Sequence, residues 1–126
     1  MLIEQRVPAG FPSPAEDHAQ KRIDLNDILI QHPLATFFLK VSGSSMREAG
    51  IDDGDAVIVD RALTPRHGHI VVAVVDGEFC IKRLYRRAGR FKLQAANPTF
   101  ADIVPGEGQT VEVWGVVTSV IKRFVT

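Results

Sequence analysis

The stretch IVVAVVDGEFCIKRL, residues 70–84, decides the fold class of this 126-residue chain. Two runs rich in β-branched and aromatic residues flank Asp76-Gly77, which is the strongest hairpin signal in the sequence. We therefore predict two antiparallel strands, Ile70–Val75 and Glu78–Leu84, joined by a tight turn.

Short runs of similar composition lie on both sides of this hairpin, separated by Gly, Pro, Asp or Asn. They are Thr36–Val41, Ala56–Asp60, Arg90–Gln94 and Val111–Val117. Upstream, Leu25, Ile28 and Leu29 have helical spacing, Asp24 is a possible N-cap, and Pro33 is expected to end this short helix. The pattern predicts a mainly β, compact, partly barrel-like domain.

The first 20 residues differ from the rest of the chain. Pro8, Gly10, Pro12 and Pro14 crowd into seven positions, and prolines remove backbone donors and favour extended conformations. We predict a flexible N-terminal arm over residues 1–20, followed by one domain over residues 21–126, since the chain is too short for two cores.

Composition narrows the possible function classes. Fifteen basic residues balance fifteen acidic ones, so sequence-specific DNA binding by this chain alone is not expected. The single cysteine, Cys80, excludes an internal disulfide and fits a reducing compartment. No signal peptide is recognised, and no apolar run approaches the roughly 20 residues that span a bilayer. We expect a cytoplasmic protein without a membrane anchor.

A tight turn at residues 42–46, Ser-Gly-Ser-Ser-Met, could present a serine hydroxyl beside free backbone amides. This signal is weak without a base. A Ser-His-Asp triad remains open, although nothing favours it, and a thiol nucleophile at Cys80 is less common than a buried cysteine. The His67 and His69 pair lacks the thiols or carboxylates of a metal site, so no metal or cofactor is expected.

Lysine is the other possible base. A free lysine, with a pKa of about 10.4, is almost entirely protonated at pH 7, and burial in apolar surroundings favours the neutral amine. Lys82 fits this role best, because it lies on a predicted strand among apolar residues, sharing a face with Cys80 and Glu78. From spacing alone, however, an ordinary solvated lysine on a half-exposed strand is the better-supported interpretation. The basic cluster from Lys82 to Lys92 is interpreted as a solvated face.

Several segments together resemble the UmuD branch of the LexA-like self-cleaving serine peptidases, over nearly the whole chain. These segments are residues 7–15, 22–26, 29–33, 41–46, 50–55, 75–82, 97–98 and 115–117. The resemblance implies a LexA-like and signal-peptidase-like β-domain of short twisted strands.

The resemblance also implies the roles of individual residues. Ser45 would be the nucleophile and Lys82 the general base, and the backbone amides of Ser44 and Ser45 would hold the oxyanion. The bond that is cut would be Ala9–Gly10 in the arm. These roles combine into a Ser–Lys dyad that removes the arm of its own chain.

The biological setting follows from the resemblance as well. Proteins of this kind are cleaved when stimulated by a RecA filament on single-stranded DNA, and then act as homodimers with a Y-family, UmuC-like translesion polymerase in SOS mutagenesis. A LexA-type repressor is set aside because nine residues before the cleavage site cannot form a helix-turn-helix domain. A signal peptidase is set aside for lack of an anchor. A non-catalytic β-domain that binds polymerase and RecA remains the alternative.

Overall fold

The structure, a computed structural model, describes residues 22–106 and 108–125. From His32 onward the chain forms one compact unit, and residues 22–31 are the described part of another. The arm predicted for residues 1–20, and its boundary with the domain, lie outside the described residues and stay predictions.

Helix α1 spans Leu25–Leu29 and begins as expected, because the Asp24 carboxylate accepts a hydrogen bond from the Asn26 N–H at 3.0 Å. The helix ends earlier than predicted, and Ile30 already has extended backbone angles. Pro33 disfavours helical angles at the residue before it, and itself opens a 3-10 turn over Pro33–Ala35.

Six strands form one antiparallel sheet in the order β1-β2-β6-β3-β4-β5. They are β1 Thr36–Lys40, β2 Ala56–Asp60, β3 Ile70–Val75, β4 Glu78–Arg87, β5 Arg90–Gln94 and β6 Val111–Ile121. The prediction of a mainly β domain with one short helix is therefore confirmed.

The β3–β4 hairpin has the predicted turn. Asp76 and Gly77 both have positive φ angles, 47° and 83°, the combination that a two-residue turn of type I′ requires and that suits the twist of the flanking strands. Strand β4 continues three residues beyond the prediction, because its charged second half pairs with β5. Strand β6 runs four residues further than predicted, where it pairs with β2.

Strand β6 joins two parts of the sheet. Its first half pairs with β3 and its second half pairs with β2, so that Val116 lies opposite both Val71 and Asp60. The register shifts on both sides of this point, and Gly115 lies at the shift against β3. A side chain at Gly115 would collide with Val59, since an added Cβ would lie 2.6 Å from the Val59 Cγ1.

Apolar side chains form two core clusters on opposite faces of β3. Val72 belongs to the first cluster, with Val57, Val59 and three residues that follow β1: Val41, Met46 and Ile51. Val71 and Ala73 belong to the second cluster, with Leu84, Leu93 and Val116. The first cluster therefore anchors the segment between β1 and β2, in which the predicted nucleophile lies.

An acidic loop before β2 supports the same segment. The Val41 N–H donates to the Asp55 carbonyl at 2.8 Å, and the Gly54 N–H donates to the Val41 carbonyl at 2.9 Å. Lys122, just after β6, donates to the carboxylates of both Asp52 and Asp55. The hydrogen bonds from Lys122 and from the Asp52 N–H lower the pKa of the Asp55 carboxyl, and the two carboxylates raise the pKa of Lys122.

These contacts predict how stability changes in acid. Because the pKa of Asp55 is lower in the folded protein than in the unfolded chain, where it is about 3.9, its contribution is complete above about pH 5 and is lost as the pH falls further. Asp55→Asn should therefore unfold at lower urea concentration at pH 7, and its stability should decline less steeply between pH 5 and 3. Urea unfolding at pH 7, 5, 4 and 3 measures both effects.

The variant Lys122→Met keeps the Asp55 carboxylate and removes its main hydrogen-bond partner. The stability of this variant should therefore also depend less steeply on pH between pH 5 and 3. Parallel stability curves for Asp55→Asn, Lys122→Met and the unmodified protein would contradict this account of the loop.

Candidate active site

Residues 42–46 form the turn that presents Ser45, and both sides of the turn are fixed. Before Ser45, Gly43 has a φ of 89°, in the left-handed region that glycine adopts without strain, and its N–H donates to the Asp53 carboxylate at 2.7 Å. After Ser45, the Met46 side chain is buried in the first core cluster. The turn is thus held by one polar anchor and one apolar anchor.

Lys82 reaches Ser45 from β4. Its Nζ donates to the Ser45 Oγ at 2.9 Å and to the Ile81 carbonyl at 3.2 Å. The side chain is 8% exposed, so Lys82 is buried and is not the solvated lysine that spacing alone favoured. The register of β3 and β4 also places Lys82 on the face of Cys80 and Glu78, as predicted.

Among the described residues, the Lys82 amine has no counter-charge. Within residues 22–106 and 108–125, no carboxylate lies within salt-bridge distance of Nζ. Burial of an ammonium without an anionic partner is costly. The described hydrogen-bond partners of this amine are the Ser45 Oγ and the Ile81 carbonyl, both of them neutral.

Two backbone amides at the predicted nucleophile have no acceptor among the described residues. In the described part of the chain, neither the Ser44 N–H nor the Ser45 N–H has a hydrogen-bond acceptor. Such amides can bind a developing negative charge on a substrate oxygen. These are the two amides that the resemblance implies.

A cleft of about 300 Å³ opens at the Ser45–Lys82 pair. Its walls come from β1, from the turn, from one residue of β3 and from the first half of β4: Leu39–Gly43, Ser45, Met46, Val72 and Phe79–Lys82. Strand β1 is an outer strand of the sheet, and β4 pairs along residues 78–82 with β3 alone among the described strands. The cleft is thus bordered by two strand edges, which can pair with an extended peptide.

The other candidate groups lie apart from Ser45 or are unsuited to attack. His32 contacts Asp60 at 2.6 Å, and the Nδ1 atoms of His67 and His69 accept backbone N–H groups. No described histidine contacts Ser45, and His18 lies outside the described residues. Cys80 lines the cleft, but burial raises the pKa of its thiol against the opposing effect of Lys82, which disfavours the nucleophilic thiolate.

The basic cluster on β4 and β5 forms a local network. Lys92 lies 3.3 Å from the Asp102 carboxylate and 4.8 Å from the centre of the Tyr85 ring, and Arg86 lies 5.7 Å from that of Phe91. Lys82 is separated from this network by its burial. No cluster of three or more potential metal ligands occurs among the described residues. None of the helices described is both long enough and apolar enough to cross a membrane.

Sequence reasoning missed the residues that hold the turn. Asp53 lies in the loop that follows Ser45 and accepts the Gly43 N–H, whereas Ala96 is distant in sequence and its N–H donates to the Ser45 carbonyl at 2.8 Å. The sequence indicated a bend at Gly43, but it did not indicate the acceptor of the Gly43 N–H, because that contact depends on the folded loop. The predicted cleavage site, Ala9–Gly10, lies outside the described residues.

Comparison with known proteins gives matches over most of the chain. The family described as Peptidase S24-like matches residues 1–118. Protein ImpA of Escherichia coli is 48% identical over 124 residues, covering 97% of this chain and 83% of the relative. Protein MucA of Escherichia coli is 47% identical over 115 residues, covering 90% and 78%. A LexA repressor of Paracidovorax citrulli is 38% identical over 118 residues, covering 94% of this chain and 52% of the repressor.

Proposed function

The chain belongs to the Peptidase S24-like family, and from this premise we propose that it is a serine endopeptidase that cuts its own N-terminal arm at Ala9–Gly10. One observation carries the proposal. The Nζ of a buried lysine, Lys82, lies 2.9 Å from the Oγ of Ser45, at a cleft bordered by strand edges.

In the proposed reaction Ser45 and Lys82 act as nucleophile and general base. The Ser45 Oγ attacks the Ala9 carbonyl carbon while its proton passes to the neutral amine of Lys82. The amides of Ser44 and Ser45 donate to the oxygen that becomes negative. Lys82 then gives the proton to the leaving amine of Gly10, and a water molecule, deprotonated in the same way, hydrolyses the Ala9 ester of Ser45.

The shape of the cleft supports an extended substrate. An extended segment between the edges of β1 and β4 could exchange backbone hydrogen bonds with either strand. The prolines at positions 8, 12 and 14 favour extended backbone angles around the scissile bond. Small residues at positions 9 and 10 allow the nucleophile to approach closely.

The proposal includes a biological setting, which the resemblance to the UmuD branch supports. We expect a RecA filament on single-stranded DNA to stimulate cleavage by favouring the arrangement in which the arm occupies the cleft, since a partner that binds both arrangements equally shifts nothing. The processed form would act as a homodimer with a Y-family, UmuC-like polymerase in SOS mutagenesis after DNA damage.

The pH dependence of cleavage tests the proposed base. A lysine accepts a proton only as the neutral amine, and the neutral fraction of a lysine grows as the pH rises. Unassisted cleavage should therefore accelerate from pH 7 toward pH 10. Intact-mass analysis after incubation at each pH should show a new species that begins at Gly10.

A rate that is flat or falls over this range would count against a lysine base. If no species beginning at Gly10 forms even with RecA, single-stranded DNA and a nucleotide, a non-catalytic β-domain that binds polymerase and RecA becomes the better account. A different new N-terminus would leave the dyad in place and move the scissile bond.

A further inference from the structure

Asn97, which lies after β5, contacts the turn that presents Ser45. Its side chain is almost fully buried, with 5% exposed, and does not line the cleft. The Asn97 Nδ2 donates to the Ser44 carbonyl at 2.9 Å. A buried amide is thus directed at the peptide group that precedes the nucleophile.

The orientation of this amide is fixed by its second partner. The Asn97 Oδ1 accepts hydrogen bonds from the Thr99 N–H at 3.1 Å and from the Thr99 Oγ1 at 2.9 Å. A backbone N–H can only donate, so the atom facing it must be the amide oxygen. The nitrogen of Asn97 therefore faces Ser44, where it meets a carbonyl that can accept.

Residues 96 and 97 together hold two successive carbonyls of the turn. The Ser44 carbonyl accepts from Asn97 and the Ser45 carbonyl accepts from the Ala96 N–H at 2.8 Å. The Ala96 carbonyl in turn accepts from the Glu48 N–H at 2.7 Å. The segment after β5 is therefore hydrogen-bonded to the chain at Ser44 and Ser45 and again after the nucleophile, at Glu48.

The direction of the Ser44 carbonyl determines the direction of the Ser45 amide. The described residues contain no cis peptide bond, and in a trans peptide the C=O and N–H of one unit point in opposite directions. Because the carbonyl points to Asn97, outside the cleft, the Ser45 N–H points away from Asn97. This N–H is one of the two amides without an acceptor in the described part of the chain.

We propose that Asn97 is a positioning residue, which orients the Ser44–Ser45 peptide so that the Ser45 N–H faces the oxyanion formed during cleavage. The inference rests on the proposed function. It predicts that Asn97 contributes to the tetrahedral stage of the reaction and not to binding of the arm, because its side chain does not line the cleft.

The variant Asn97→Asp tests this role with little change of shape. Its carboxylate can still accept from Thr99, but it cannot donate to the Ser44 carbonyl and repels that oxygen instead. Self-cleavage should slow by at least about tenfold, and by up to the 10²–10³-fold found when an oxyanion donor is removed. Asn97→Ala removes both contacts and provides a second variant if the first does not fold.

A boronic acid peptide, Val-Pro-boroAla, separates positioning from a general structural role. The Ser45 Oγ forms a bond to boron, its proton passes to Lys82, and a tetrahedral boronate results. Asn97→Asp should weaken boronate binding by about the factor by which it slows cleavage, because both need the oxyanion donor. Binding of the unreactive peptide amide Val-Pro-Ala should change less than twofold.

The matched control is Gln109→Glu, which also replaces an amide by a carboxylate, on the surface and far from the turn in sequence. It should cleave at the rate of the unmodified protein, and thermal melts should show that all variants are folded. Normal cleavage by Asn97→Asp, or equal weakening of the boronate and of the peptide amide, would overturn the inference. If the unmodified protein neither cleaves nor binds the boronate more tightly than Ser45→Ala does, the proposed function itself is overturned, together with the inference.

Discussion

Removal of residues 1–9 should stop when either Ser45 or Lys82 is replaced by alanine. Loss of a nucleophile or of its base costs a serine peptidase about 10⁶ in kcat, so no product beginning at Gly10 should be detected. Both variants should remain folded. Ser45 lies in a turn held by Gly43 and Met46, and its hydroxyl contacts Lys82.

The lysine variant needs a second form and a control. Lys82→Met keeps most of the buried stem and removes the amine, so it separates loss of the base from loss of packing. Lys92→Ala removes a lysine that pairs with Asp102 outside the cleft, and it should cleave normally. Intact-mass analysis at alkaline pH, with circular dichroism as the folding check, measures all four variants. Cleavage at Ala9–Gly10 by any variant of Ser45 or Lys82 would refute the role assigned to that residue.

The largest effect on stability is expected at Gly115. An alanine Cβ there would lie 2.6 Å from the Val59 Cγ1, closer than real Cβ contacts, and 3.2 Å from the Arg61 Cγ. Val59 is fully buried and its β-branched side chain has few alternative rotamers, so the strands themselves must shift. Gly115→Ala should lower the free energy of unfolding by about 1–3 kcal/mol, the usual cost of overpacking a core.

Gly106→Ala is the matched control for this experiment. An added Cβ there meets one atom at ordinary contact distance, the Gln109 Oε1 at 3.6 Å, and a glycine-to-alanine change at a compatible position does not destabilise. Urea unfolding of the two variants beside the unmodified protein gives the comparison. Equal midpoints for Gly115→Ala and Gly106→Ala would show that β2 and β6 are less tightly packed than described.

Local features of the sequence were sufficient to predict most of the sheet. The bounds of β2, β3 and β5 agree with prediction, because these runs, which are rich in β-branched residues or contain an aromatic one, lie between turn residues. The ends of β4 and β6 were underestimated, because they depend on a partner strand. Arg86 and Arg87, for example, are charged residues that remain in β4 through pairing with β5. Helix α1 ends at Leu29, an end that neither the helical spacing nor Pro33 marks.

Fewer features of the candidate site could be predicted from local features of the sequence. From the residues alone, Lys82 was no better than a plausible base, and its pairing with Ser45 was implied by a resemblance. The two residues are 37 positions apart and meet through the folded sheet. The burial of Lys82 and the absence of a described counter-charge are likewise properties of the folded chain. The contacts of Asp53 and Asn97 had no sequence signal beyond residue type, because their partners are backbone atoms of the Ser45 turn.

The position of β6 in the sheet has a consequence for the timing of activity during protein synthesis. The Ser45 turn lies between β1 and β2 in the chain, and Lys82 lies on β4, which pairs with β3 and β5. In the sheet, β6 separates the group β1 and β2 from the group β3, β4 and β5. A ribosome releases β6 after every other strand, so the sheet that holds both groups cannot be completed earlier. Under the proposed function, a nascent chain would emerge with residues 1–9 attached and with Ser45 and Lys82 on strands not yet joined, and self-cleavage would begin only when β6 is in place.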